Sequence, residues 1–117
     1  MAKLTLKLND EVVKEITISK DKELSIGRDQ TNDLQLDNLA VSRFHAKIYK
    51  QGWPFYIEDL KTTNGTYLNN RMVNWKESLK NNDIITIGKY ILIYNDSSMD
   101  YENGKDRPFD PNLTIKV

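Results

Sequence analysis

Apolar and polar residues alternate in short runs along most of this chain, and turn-forming residues separate the runs. Leu4, Leu6 and Leu8 flank Thr5 and Lys7, and Val13 to Ile18 returns after Asn9-Asp10, which predicts a β-hairpin. Glu23 to Ile26 predicts a short strand ending at Gly27-Arg28, and Leu34 and Leu36 alternate about Gln35. From Phe44 onward, Phe44, Ala46 and Ile48 set against His45, Lys47 and Tyr49 predict a strand with the first set buried. After Gln51-Gly52, Trp53 to Leu60 predicts the next strand, with Phe55 and Ile57 inward and Tyr56 and Glu58 outward.

Short strands at Thr66 to Leu68 and Arg71 to Val73 flank Asn69-Asn70, a tight turn because Asn tolerates left-handed backbone. Ile84 to Ile87 and Tyr90 to Tyr94 pair across Gly88-Lys89. No stretch carries a helical period, and Trp75 to Lys80 has room for one turn at most. Many short strands with frequent turns predict an all-β sandwich. The domain runs over residues 1–96. Residues 97–117 change character, rich in Asp, Asn, Ser and Pro, and read as a linker or tail until Leu113 to Val117 alternates like a strand.

Composition narrows the function. A chain of 117 residues holds one domain with a modest core. Seventeen Lys and Arg balance seventeen Asp and Glu, which argues against broad nucleic-acid or anionic-membrane binding while leaving room for a local basic patch. There is no cysteine, hence no disulfide framework or thiolate metal site, and a single histidine makes a structural zinc site improbable. No apolar run suits a signal peptide or a membrane span. The expectation is a soluble cytoplasmic domain with no metal and no cofactor.

Three islands at strand ends carry the candidate chemistry: Gly27-Arg28, Ser42-Arg43-Phe44-His45, and Thr62-Thr63-Asn64-Gly65-Thr66. A guanidinium at Arg28 suits an oxyanion, since its planar fork meets phosphate or carboxylate bidentately; alone, it would more simply pair with Asp29, Asp33 or Asp37. Ser42 adds a hydroxyl and Arg43 a second cation. A nucleophile and base at Ser42 and His45 is a weaker reading, because no Gly-x-Ser-x-Gly elbow accompanies them, and His45 is expected to shape the loop through backbone hydrogen bonds. In the third island Thr62 and Thr66 are expected to support the loop, with Thr63 and Asn64 presented outward and Gly65 permitting the unusual backbone.

Together these segments resemble the forkhead-associated domain, a phosphothreonine-recognition module. The likeness rests on Leu24 to Arg28, Val41 to Ala46, Asp59 to Asn69, and Asn82 to Gly88, in matching order and spacing over residues 3–95. It implies eleven strands in two twisted, mostly antiparallel sheets, with the binding loops at one end. It also implies that Arg28 and Ser42 bind phosphate directly and that Arg43 adds a phosphate contact. Thr63 would hold the phosphate or the threonine methyl region, and Asn64 the ligand backbone. Gly27 and His45 would be structural, and Asn69 would buttress the loop of Asn64. Asn70 stands where the family usually has Gly, a change the turn accommodates. The variable loops at Ala40 and Lys61 would choose the third residue after the phosphothreonine.

The implied partner is a phosphothreonine-containing protein or peptide, such as a Ser/Thr kinase or its substrate, with no nucleic acid and no membrane. Two alternatives stand beside it: a phosphate-independent scaffold on the same fold, and self-interaction through the tail, where Val117 lies third after Thr114. In bacteria the family often sits beside Ser/Thr kinases, and the Asn-, Lys- and Ile-rich composition suits an AT-rich bacterial genome.

Overall fold

The computed structural model of the chain describes residues 2–96. They form eleven strands: β1 (Ala2–Leu8), β2 (Glu11–Ile18), β3 (Leu24–Gly27), β4 (Leu34–Gln35), β5 (Ala46–Lys50), β6 (Phe55–Asp59), β7 (Tyr67–Leu68), β8 (Arg71–Met72), β9 (Lys76–Ser78), β10 (Asp83–Ile87) and β11 (Tyr90–Asp96). One sheet has six strands in the order β2-β1-β11-β10-β7-β8, and the other has five in the order β4-β3-β5-β6-β9. The described pairings are antiparallel except β3 with β4, where Ile26 and Gly27 run parallel to Leu34 and Gln35.

Tight turns set the six-stranded sheet. Asn9 and Asp10 take φ of 54° and 66°, and Asn69 and Asn70 take 50° and 70°, so both two-residue loops are left-handed, as the strand twist requires. β1 and β11 stay in uninterrupted register from Ala2↔Asp96 to Leu8↔Tyr90. The inward residues of both sheets meet in one core, with Leu4, Ile26, Ile48, Ile57, Ile85, Ile87 and Leu92 all fully buried. Burial of each such side chain stabilises by about 1.5–3 kcal/mol. Tyr94 reaches this core with its hydroxyl donating to Asp96 at 2.8 Å, and burial first, then Asp96, pushes its phenol well above the ordinary tyrosine range.

Three expectations need correction. Phe44 was expected on the buried face with Ala46 and Ile48, yet it is 54% exposed while His45 is fully buried. β5 begins only at Ala46, so residues 42–45 are free of the strand's alternation, and the polar ring goes inside because backbone partners wait for it there. The segment from Trp75 to Lys80, allowed at most a helical turn, instead supplies β9, which pairs Lys76 with Glu58 and Ser78 with Tyr56. The strand foreseen over Trp53 to Leu60 is shorter, Phe55–Asp59, although Phe55 and Ile57 do point inward. The readings made for residues 97–117 fall outside the described residues. Among those described, no helix is long and apolar enough to cross a membrane.

Candidate functional site: three loops bonded into one rim

The loop after β3 is pressed onto the Ser42-Arg43 loop. A Cβ on Gly27 would sit 2.3 Å from the Arg43 carbonyl oxygen and 2.8 Å from Asn32 Nδ2, so only glycine fits. The close approach is bonded throughout. Arg28 N–H donates to the Ser42 carbonyl at 2.9 Å, and Asp29 N–H to the Arg43 carbonyl at 3.1 Å. Asn32 Nδ2 donates to the carbonyls of Asp29 and Arg43, both at 2.8 Å. Arg28 Nε donates to the Val41 carbonyl at 2.9 Å, which orients the guanidinium plane beside Ser42. Its two terminal nitrogens have no hydrogen-bond or ion-pair partner among the described residues, and neither do the side chains of Ser42, Arg43 and Thr63.

His45 ties the second loop to the third. Its Nδ1 accepts the Ser42 backbone N–H at 3.0 Å, and its Nε2 lies 2.9 Å from the Gly65 carbonyl, so Nε2 carries the proton and donates. Both ring nitrogens are spent on backbone. Neither can take a proton from the Ser42 hydroxyl, and a Ser-His nucleophilic pair is therefore not built here.

The third loop is organised by Asp59. Its carboxylate accepts from the Thr62 hydroxyl at 2.8 Å, the Thr62 N–H at 3.1 Å and the Thr66 hydroxyl at 2.7 Å. The Thr62 hydroxyl in turn accepts the Gly65 N–H at 2.9 Å. Lys61 and Gly65 hold φ of 60° and 85°, which lifts Thr63 and Asn64 outward into solvent. Asn64 Nδ2 donates to the Ala40 carbonyl at 2.8 Å, closing the rim back onto the loop before Ser42 and leaving its Oδ1 facing outward as an acceptor.

The rim thus gathers Arg28, Ser42, Arg43, Thr63 and Asn64, the residues the sequence singled out, with Gly27, His45 and Gly65 beneath them. Asn69 is placed differently. It exchanges bonds with β10, Oδ1 accepting the Ile84 N–H at 2.9 Å and Nδ2 donating to Asp83 at 3.0 Å, so its side chain bonds β10 and not the loop of Asn64. Two supporting residues went unassigned: Asp59 and Asn32. The spacing of Asp59 to Thr62 and Thr66 is a local-turn signal that could have exposed the first; Asn32 bonds across eleven residues and leaves no local trace.

Charge at the rim is positive and aimed. Asp29 lies beside both arginines, and hydrogen bonds from the Thr31 hydroxyl and amide, with Arg43 and Arg28 adding to them, hold its carboxyl below the usual range. Among the described residues no cluster of His, Cys, Asp or Glu could hold a metal ion. The chemistry on offer is recognition of an anion by two guanidinium groups and two hydroxyls, beside an amide that suits a peptide backbone.

Sequence and structure comparisons give the family. The profile of the FHA domain matches residues 24–88, and the chain belongs to that family. It is 39% identical over 70 residues to the glycogen accumulation regulator GarA of Mycolicibacterium smegmatis, a match covering 60% of this chain and 44% of GarA. The fold superposes on the FHA domain of CT664 from Chlamydia trachomatis with a TM-score of 0.76 at 25% identity, covering 83% of this chain and 98% of that one. A domain solved in an analysis of phosphothreonine-dependent FHA domain interactions gives 0.69 at 31% identity, covering 80% and 95%. The chain spans about half the length of the curated relatives it matches.

Proposed function

We propose that this domain binds proteins through phosphorylated threonine, and that Arg28, Ser42, Arg43, Thr63 and Asn64 make the contact. The observation that supports the reading most is that three loops bonded together through Asn32, His45 and Asn64 carry five polar side chains with no protein partner for the groups they present. A phosphate carries about −1.5 to −2 charges near neutral pH and three acceptor oxygens, and two arginines with two hydroxyls match that demand. Asn64 Oδ1 is left to accept from the ligand backbone. A carboxylate mimic, planar and singly charged, meets fewer of these donors. The relative solved for phosphothreonine-dependent interactions points to the same ligand class. Such a module works as an adaptor in the cytoplasm, where Ser/Thr kinases supply the mark. It carries no reaction of its own, since His45 has no free nitrogen.

Arg28→Ala is expected to weaken phosphopeptide binding by about 2–5 kcal/mol, because the buried phosphate loses its paired charge. Isothermal titration with an oriented phosphothreonine peptide library, alongside the unphosphorylated set, reads this directly. Equal affinity of mutant and wild type would overturn the assignment. Equal binding of both peptide forms would favour the phosphate-independent scaffold.

A further inference from the structure

Beside the third loop the surface changes from donors to rings. The segment joining β8 to β9 is pinned to that loop by two backbone bonds, Val73 N–H to the Thr66 carbonyl at 2.8 Å and Asp59 N–H to the Trp75 carbonyl at 2.9 Å. It thereby holds Trp75, 61% exposed, against the loop of Thr63 and Asn64. A cavity of about 320 Å³ opens there, lined by Glu58, Asp59, Leu60, Lys61, Asn74 and Trp75. Away from the cavity a continuous series of ring contacts crosses the outer face of the five-stranded sheet. Lys76 Nζ lies 4.6 Å from the Trp75 ring centre and 5.1 Å from that of Tyr56, and Tyr56 stacks on Tyr49 at 6.2 Å.

We infer that this Trp75 cavity and ring face form a second contact surface for the same partner. It would take an extended segment flanking the phosphothreonine, with an aromatic or long aliphatic side chain in the cavity and acidic residues on either side. The inference rests on the phosphothreonine reading for its partner and deepens it.

Charge decides the chemistry of the flank. Lys61 lines the cavity with Trp75 and Lys76 lies over the Trp75 ring, and neither has a carboxylate partner among the described residues. Lys76 Nζ donates only to the amide oxygen of Gln51, at 2.8 Å. The nearby acids keep their charge but form no ion pair with either lysine. Asp59 is committed to Thr62 and Thr66, and Glu58 accepts the Tyr49 hydroxyl at 2.7 Å. The Tyr49 phenol, pushed up to about 12 by burial and then by Glu58, stays a donor at neutral pH. Two unpaired ammonium groups beside an exposed Trp suit carboxylates around an apolar anchor, the composition that concentrates binding energy at protein interfaces. Single-stranded nucleic acid would also stack on the rings, but the chain's seventeen Lys and Arg only balance its seventeen Asp and Glu, without the basic excess that tracking a phosphate backbone draws on. The surface also adjoins the phosphate loop directly. A flank of some ten residues, at about 3.3 Å each, reaches across the face.

The test uses phosphothreonine peptides with ten-residue flanks on either side, built from Asp, Glu and Phe in one series and from Gly and Ser in the other. The acidic aromatic flank on one side is expected to tighten binding about tenfold over the Gly-Ser flank, and Trp75→Ala and Lys76→Glu should each remove the gain. Both variants should leave the affinity of a short phosphothreonine peptide unchanged, since neither residue touches the phosphate rim. No gain from either flank, or a gain that survives both variants, overturns the inference. If the short peptide itself fails to bind, the phosphothreonine reading falls alone. The unphosphorylated acidic flank then decides the surface by NMR: amide shifts centred on Lys61, Trp75 and Lys76 uphold it, and their absence ends it. Binding of an oligothymidylate that Trp75→Ala abolishes would also overturn the choice of a protein flank.

Discussion

The six-stranded sheet and the loop end of the five-stranded sheet are held by opposite means. Along β1 and β11 seven consecutive residues pair without interruption, and two-residue turns return the chain, so backbone satisfies backbone. At the rim, β3 has four residues and β4 two, and the loops after them pair backbone to backbone only at scattered points such as Arg28 N–H to the Ser42 carbonyl. There the backbone groups are met by side chains: Asn32, His45, Asp59, Thr62 and Asn64 each take a carbonyl or an amide that no strand reaches. The difference separates two kinds of polar residue within a few positions of each other. Those that build the rim spend polar groups on it, although Asn32 keeps a buried Oδ1 without a partner among the described residues. Those that would meet a ligand have no protein partner for the groups they present, and Asn64 does both.

The sharpest way to break this division is a cavity in the first region. Leu92 is fully buried between both sheets, and Leu92→Ala should cost about 2–5 kcal/mol of stability. Urea unfolding gives the loss, and titration of the folded protein should return an unchanged phosphopeptide affinity. A parallel fall in affinity would mean that the rim leans on core packing and not on its own polar frame.

A loss of similar size, but in both readouts, is expected at His45. His45→Ala strands the Ser42 N–H and the Gly65 carbonyl, each a buried group worth about 1–3 kcal/mol when unpaired, and it cuts the link between the second and third loops. Stability and phosphopeptide affinity should fall together. Stability loss alone would show that the loops keep their places without the ring.

How much of this could be read from residues alone follows the same division. Alternating Leu and Ile in β1, β10 and β11 announced their strands, because one buried face imposes a period of two. The Asn9-Asp10 and Asn69-Asn70 turns were equally legible, since left-handed backbone selects few residue types. β9 was not, because its Lys-Glu-Ser sequence carries no apolar alternation and it forms only by pairing with β6. Phe44 failed for a related reason: a strand period was extended into a loop where His45 has the better claim to the interior. The residues proposed to meet the ligand are chosen by motif spacing. Of the residues that hold the rim, Asp59 left a local-turn spacing to Thr62 and Thr66, whereas Asn32 reaches the Arg43 carbonyl only through the fold. Lys61, with φ of 60°, stayed hidden because left-handed lysine has no sequence mark.

The finest test sets two adjacent threonines against each other. Thr62 donates to Asp59 and accepts from Gly65, whereas Thr63 is exposed and has no partner among the described residues. Thr62→Val keeps the shape but removes a bond to the Asp59 carboxylate and strands the Gly65 N–H, so it should cost about 1–3 kcal/mol of stability for each. Thr63→Val should leave stability within about 0.5 kcal/mol of wild type, as surface changes do, and should weaken phosphopeptide binding through the lost hydroxyl. Valine is the right replacement at both places because its branched β-carbon preserves the threonine backbone preference. Thermal unfolding and peptide titration of the two variants, taken side by side, should therefore give crossed results: stability moves first at residue 62 and affinity moves alone at residue 63. A Thr63 variant that loses stability would place it in the frame with Thr62 and erase the line between building and presenting in this loop.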